Sequence, residues 1–84
     1  MEMVTTAEVE FLDYALERVI EHYRALGQKT GDYSKSDELE DLAFDENYPE
    51  IFLGIRADIY NYVALTDEER GLMTELEHKL SVCS

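Results

Sequence analysis

Between Val9 and Leu26 the apolar residues return at every third or fourth position: Val9, Leu12, Leu16, Val19, Ile20, Tyr23 and Leu26. At about 100° per residue they fall in one arc, a pattern that an amphipathic helix buries and a strand does not. An 84-residue chain has room for one core, so a single compact unit is expected. Thr5 with Glu8 reads as a capping box that opens the helix, each side chain satisfying a backbone N–H of the first turn. Gly27 is expected to close it with a left-handed turn.

The stretch GQKTGDYSKS that follows has turn chemistry and is expected to be the most mobile segment. A short second helix is expected over about residues 37–46, capped by Ser34 or Ser36, with Leu39, Leu42, Ala43 and Phe44 to bury. Pro49 suits the first position of a third helix, where its missing N–H costs nothing. This helix would run to about Ala64. Its main apolar arc holds Ile51, Phe52, Ile55, Ile59, Tyr62 and Val63; a second arc holds Leu53, Ala57, Tyr60 and Ala64. A helix apolar on two sides is either central in its fold or covered by a partner. Thr66 with Glu69 forms another capping box, opening a fourth helix with a narrow stripe of Leu72, Met73, Leu76 and Leu80. The fold class that follows is all-α: a small bundle of three to four helices, one domain over residues 1–84, with the third helix near its centre. The alternative is α+β, with a short hairpin at about 50–65 turning near Arg56 to Asp58, because that stretch is rich in β-branched and aromatic residues.

Twenty acidic residues stand against seven basic ones, a net charge of −13. That exceeds the magnitude of roughly 2 to 8 that serves solubility in a small domain, and the excess costs stability by self-repulsion. Such a surface disfavours direct contact with nucleic acid or an anionic membrane, both of which call for Lys and Arg. The first residues, MEMVTTAEVEF, lack a basic region followed by an apolar run, and no apolar segment approaches the roughly 20 residues that span a bilayer. A cytoplasmic location is expected. Cys83 has no second cysteine to pair with and no basic neighbour closer than Lys79 to activate it.

Catalytic chemistry finds little support. With so many acids, adjacent carboxylates are unavoidable and carry no information about an acid–base pair. His22 and His78 read as surface or boundary residues. Glu75 and His78 have the Glu-x-x-His spacing of di-metal bundles, but the second copy such a site needs is missing. The stretch starting at Asp32 resembles a calcium loop in its alternating oxygen side chains. However, Asp37 stands where that loop needs glycine and Ala43 where it needs glutamate. There is no glycine-rich phosphate cradle and no nucleophile elbow. No catalytic residue, metal site or cofactor is expected.

The acids themselves are arranged. Glu10, Asp13, Glu17 and Glu21 fall within about 80° on the first helix, roughly opposite its apolar arc, giving one charge per roughly 4 to 5 Å of axis. One strand of duplex DNA carries a phosphate per roughly 3.4 Å. Three of these acids repeat at i, i+4, where like charges repel and a helix selected for stability would alternate signs. Arg24 offsets the lower end of this ridge and Arg18 lies on another side. In SDELEDLAFDENYPE, residues 36–50, every charged side chain is acidic, and Asp37, Glu38, Glu40, Asp41, Asp45 and Glu46 surround very few core positions. These acids read as a partner-binding surface, with Tyr48 as an aromatic anchor and Tyr14, Tyr33 and Tyr60 at its edges.

In this character the chain resembles the small, acidic, stand-alone proteins that block nucleic-acid-handling machines by presenting carboxylates in place of phosphates. Phage counter-defence proteins, anti-CRISPR proteins among them, and the immunity proteins of nuclease bacteriocins share the look. The resemblance is one of composition, with no shared motif. It implies a non-catalytic inhibitor whose partner is a basic nucleic-acid-binding protein, a nuclease or effector complex. The alternative reading is a helical assembly module that dimerises or docks a helix through Leu53, Ala57, Tyr60 and Ala64, its acids serving only solubility.

Overall fold

The computed structural model describes residues 4–81, and Cys83 lies outside them. Four helices follow in order: α1 Thr6–Thr30, α2 Ser34–Asp45, α3 Tyr48–Tyr62 and α4 Asp67–Ser81. The all-α bundle is the observed architecture. Residues 50–65, where a hairpin was the alternative, are helical to Tyr62, and there are no strands among the described residues. In a helix, Ile51, Phe52, Ile55 and Ile59 all reach one core, and this burial outweighs their strand preference.

The helix starts follow the capping signals. Thr5 Oγ1 accepts from the Glu8 N–H while the Glu8 carboxylate accepts from the Thr5 N–H. Thr66 and Glu69 repeat the arrangement at α4. Asn47 caps α3 ahead of Tyr48, so Pro49 sits one position later than expected, still within the turn that needs no N–H donor. At α2 the serines are not the caps. Tyr33 is the capping residue without a side-chain bond, and Asp32 accepts from both the backbone N–H and the hydroxyl of Ser34. Those two bonds hold the Asp32 carboxyl below its ordinary value.

The first helix is longer than its glycine signal suggests. Gly27 does not end α1, which runs on to Thr30 and stops at Gly31, whose φ of 79° is left-handed. Gly27 is instead a site of close approach: a Cβ there would stand 2.7 Å from Cδ1 of Tyr33. The glycine lets the returning chain fold back over α1. Most of the expected linker is therefore helix, leaving residues 31–33 as the connection.

The core joins Phe11, Leu12, Ala15, Leu16, Val19 and Ile20 of α1 to Leu39 of α2, the α3 isoleucines with Phe52, and Met73 and Leu76 of α4. Burying each large side chain contributes about 1.5–3 kcal/mol. Phe11 and Ala15 widen the buried face of α1 beyond the expected arc, whereas Leu26 and Tyr62 are half exposed. Phe44 does not join the core at all and is 88% exposed. α3 is central as expected and meets every other helix, but it shares that place with α1. α1 packs most extensively against α3 and α2 and also meets α4. The backbones of α2 and α4 do not approach each other closely, and the two helices flank the α1/α3 pair. The second apolar arc of α3 is therefore uncovered within the chain, and Ala64 falls beyond the helix end.

Candidate partner-binding surface

Ten of the exposed acids belong to α1 and to α2 with its C-terminal cap. Glu10, Asp13, Glu17 and Glu21 are all exposed on α1; Asp37, Glu38, Glu40, Asp41, Asp45 and Glu46 are all exposed on or beside α2. The α1 ridge is not set apart from the apolar face. It begins at that face's edge, where Asp13, Glu17 and Glu21 line a groove of about 340 Å³ with Leu16, Ile20, Arg24 and, from α2, Ala43. α2 lies alongside this flank of α1 and turns a solvent-facing ridge into one wall of a groove.

Three bonds pin the groove. Tyr48, half-buried at the start of α3, donates to the Asp13 carboxylate at 3.1 and 3.4 Å. Partial burial first, then the Asp13 and Glu46 charges, raise its phenol above its ordinary value. The anchor expected to face a partner is thus partly committed within the chain. Arg18 reaches Glu21 at 2.9 Å, one turn away on the same helix. Arg24 crosses to Glu40 of α2. So Arg18, read as facing elsewhere, neutralises part of the ridge, and Arg24 serves the α1/α2 contact. Exposed pairs of this kind contribute about 0–1 kcal/mol. Among the described residues, Glu10, Asp13, Glu17, Asp37, Glu38, Asp41, Asp45 and Glu46 have no ion pair.

The edge tyrosines are placed individually. Tyr14 lies under the Arg18 guanidinium, 5.6 Å from it, and Tyr33 covers Gly27. On the outer face of α3, Leu53 is 53% and Tyr60 51% exposed, with Ala57 between them also exposed. Partial burial and the carboxylate of Glu77 on α4 raise the Tyr60 phenol. Arg56 and Glu77 stand 3.7 Å apart beside it.

Three features were missed by sequence reasoning. Tyr23 donates to Asp58 at 2.7 Å, and burial together with that carboxylate pushes its phenol up to about 12. His22 stacks on Tyr62 with ring centres 3.8 Å apart and meets Tyr23 edge-on, so this histidine is part of the α1/α3 seam. Glu8, read as a capping residue, is fully buried and also accepts from Lys79 of α4 at 2.8 Å. Its helical position was the available signal: at 100° per residue Glu8 falls in the same direction as Leu26, inside the apolar arc.

Among the described residues, no group of three His, Cys, Asp or Glu side chains could hold a metal ion. Nor is any described helix long and apolar enough to cross a membrane. No protein-family model, curated protein or solved structure matches the chain.

Proposed function

We propose that the protein is a non-catalytic acidic inhibitor that binds the basic nucleic-acid-binding surface of a nuclease or CRISPR-type effector and competes with DNA or RNA. The supporting observation is that eight carboxylates on or beside α1 and α2 are exposed without an ion pair, in a chain of net charge −13. Leaving them so close together costs stability, and a partner of opposite sign relieves that cost. Opposite charges would steer the two proteins together, so association is fast at low salt and weakens steeply as salt rises. Phage counter-defence and immunity against a nuclease bacteriocin are the two settings such an inhibitor serves, both in the cytoplasm.

Capture of partners at low salt, elution with a salt gradient and a competition assay on the eluted protein test this reading. The expected partner is basic, and the inhibitor displaces its nucleic acid. A triple substitution of Asp13→Asn, Glu17→Gln and Glu21→Gln weakens displacement at least about tenfold. A captured partner that does not bind nucleic acid, or one that still holds it when saturated with inhibitor, overturns the reading.

The half-exposed Leu53 and Tyr60 favour a second reading, the assembly module. In that case Leu53→Asp with Tyr60→Asp abolishes association, and the triple substitution on α1 leaves it intact.

A further inference from the structure

The groove between α1 and α2 has a mixed chemistry that a charged ridge alone would not have. Leu16 and Ile20 form a buried apolar floor, and Ala43 is half-buried across from them. Asp13, Glu17 and Glu21 stand exposed above it. Asp13 is hydrogen-bonded by Tyr48 and Glu21 is paired with Arg18, which leaves Glu17, between them, as the rim carboxylate with neither a hydrogen bond nor an ion pair. At one end the chain's own Arg24 lines the groove and gives its guanidinium to Glu40. The groove thus already accommodates one arginine, its head on a carboxylate.

A ligand for the rest of this groove must be apolar below and cationic above. A fully apolar segment would strip water from three carboxylates without replacing their hydrogen bonds. A phosphate or acidic peptide would be repelled. Arginine satisfies both demands, because its methylene stem covers apolar surface while its planar guanidinium, more weakly hydrated than an ammonium, forks onto a carboxylate. We propose that this groove takes an arginine side chain from the basic partner, its stem over Leu16, Ile20 and Ala43 and its guanidinium on Glu17. The proposal rests on the reading of the acids as a partner-binding surface and adds that one contact in it is shaped rather than diffuse.

Octa-arginine and octalysine peptides, equal in charge, are the probes. Binding is measured by fluorescence anisotropy, and the site is located from the methyl NMR signals of Leu16, Ile20 and Ala43. Octa-arginine is expected to bind at least about fivefold tighter than octalysine and to shift those methyl signals. Ala43→Leu fills the floor without changing charge, and should remove the arginine preference while leaving octalysine binding within about twofold. Should Ala43→Leu fail to fold, Glu17→Gln, a change at an exposed site, should remove the same preference. Equal binding of the two peptides, or an arginine preference that survives these substitutions, overturns the proposal. Groove binding without competition against nucleic acid would sink the inhibitor reading alone. Intact competition with indistinguishable peptides would sink this one alone.

Discussion

Lys79, in the last turns of α4, donates to the carboxylate of Glu8 in the first turn of α1 at 2.8 Å, joining residues 71 apart in the chain. Glu8 is fully buried and its second carboxylate oxygen has no hydrogen-bond partner. The pair fastens the end of α4 to the start of α1. Removing the cation alone strands a buried charge. Lys79→Met is therefore expected to destabilise the fold by about 3 kcal/mol, read from chemical denaturation. Adding Glu8→Gln should recover most of that loss, because the amide oxygen still accepts from Thr5 and no charge remains buried.

The same pair sets an acid limb of stability. Burial pushes the Glu8 carboxyl up, but bonds from Lys79 and Thr5 outweigh it and leave the group below its ordinary value of 4.5. A carboxyl depressed by folding contributes stability above its unfolded value, and that contribution is lost as pH falls through the folded one. The stability gap between wild type and Glu8→Gln should be full at pH 6 and close progressively below about 4.5. A gap that persists unchanged to pH 2 would show that the carboxylate charge is not what Lys79 recognises.

Much of this architecture was legible in the sequence, and the misses have physical reasons. The capping pairs Thr5/Glu8 and Thr66/Glu69 are local, depending on side chains three residues apart, so sequence alone places those helix starts. Gly27 and Gly31 could not be ranked as stops from local chemistry, because Gly27 answers to a ring that folds back from Tyr33. That α1 shares the centre with α3 was hidden for a related reason. α3 is apolar on two sides, but its second side is open to solvent, and no local pattern reveals which faces meet. In the candidate surface, the exposed acids were visible as charge runs. The groove was not, because Ala43 reaches it only through the packing of α2 on α1.

Tyr23 and Asp58 predict a distinctive alkaline titration. One tyrosine should resist ionisation until about pH 12 when absorbance is followed at high pH, and Tyr23→Phe should remove that phase. A phenol raised by folding contributes stability that is full below its unfolded value near 10 and lost as pH climbs through about 12. At neutral pH, Tyr23→Phe should cost about 1–2 kcal/mol for the lost bond to a carboxylate.

Gly27→Ala offers a test of close approach against helix propensity. In an exposed helix interior the change would stabilise by about 1 kcal/mol. Here the added carbon meets the Tyr33 ring at 2.7 Å and the Asp32 carbonyl oxygen at 3.0 Å, so a lower melting temperature is expected. In a Tyr33→Ala background the loss should shrink.

Salt should stabilise this protein. Its longest dimension is 39 Å and it carries −13. At 0.01 M salt the screening length of about 30 Å lets acids across the whole molecule repel one another, and at 0.15 M it falls to about 8 Å. Unfolding midpoints are expected to rise between these conditions, by about 1 kcal/mol in stability. A fall instead would mean that the surface ion pairs outweigh the repulsion.

The backbone separation of α2 from α4 makes the exposed faces of the molecule separable for an experimenter. Changes at exposed positions of α4 should leave the geometry of the acidic groove as it is, and their energetic effects should add to those made at exposed positions of α2. Exposed positions on the outer side of α4, Glu75 for instance, are therefore the places to attach a dye, a surface tether or a fusion partner while the opposite edge is being assayed.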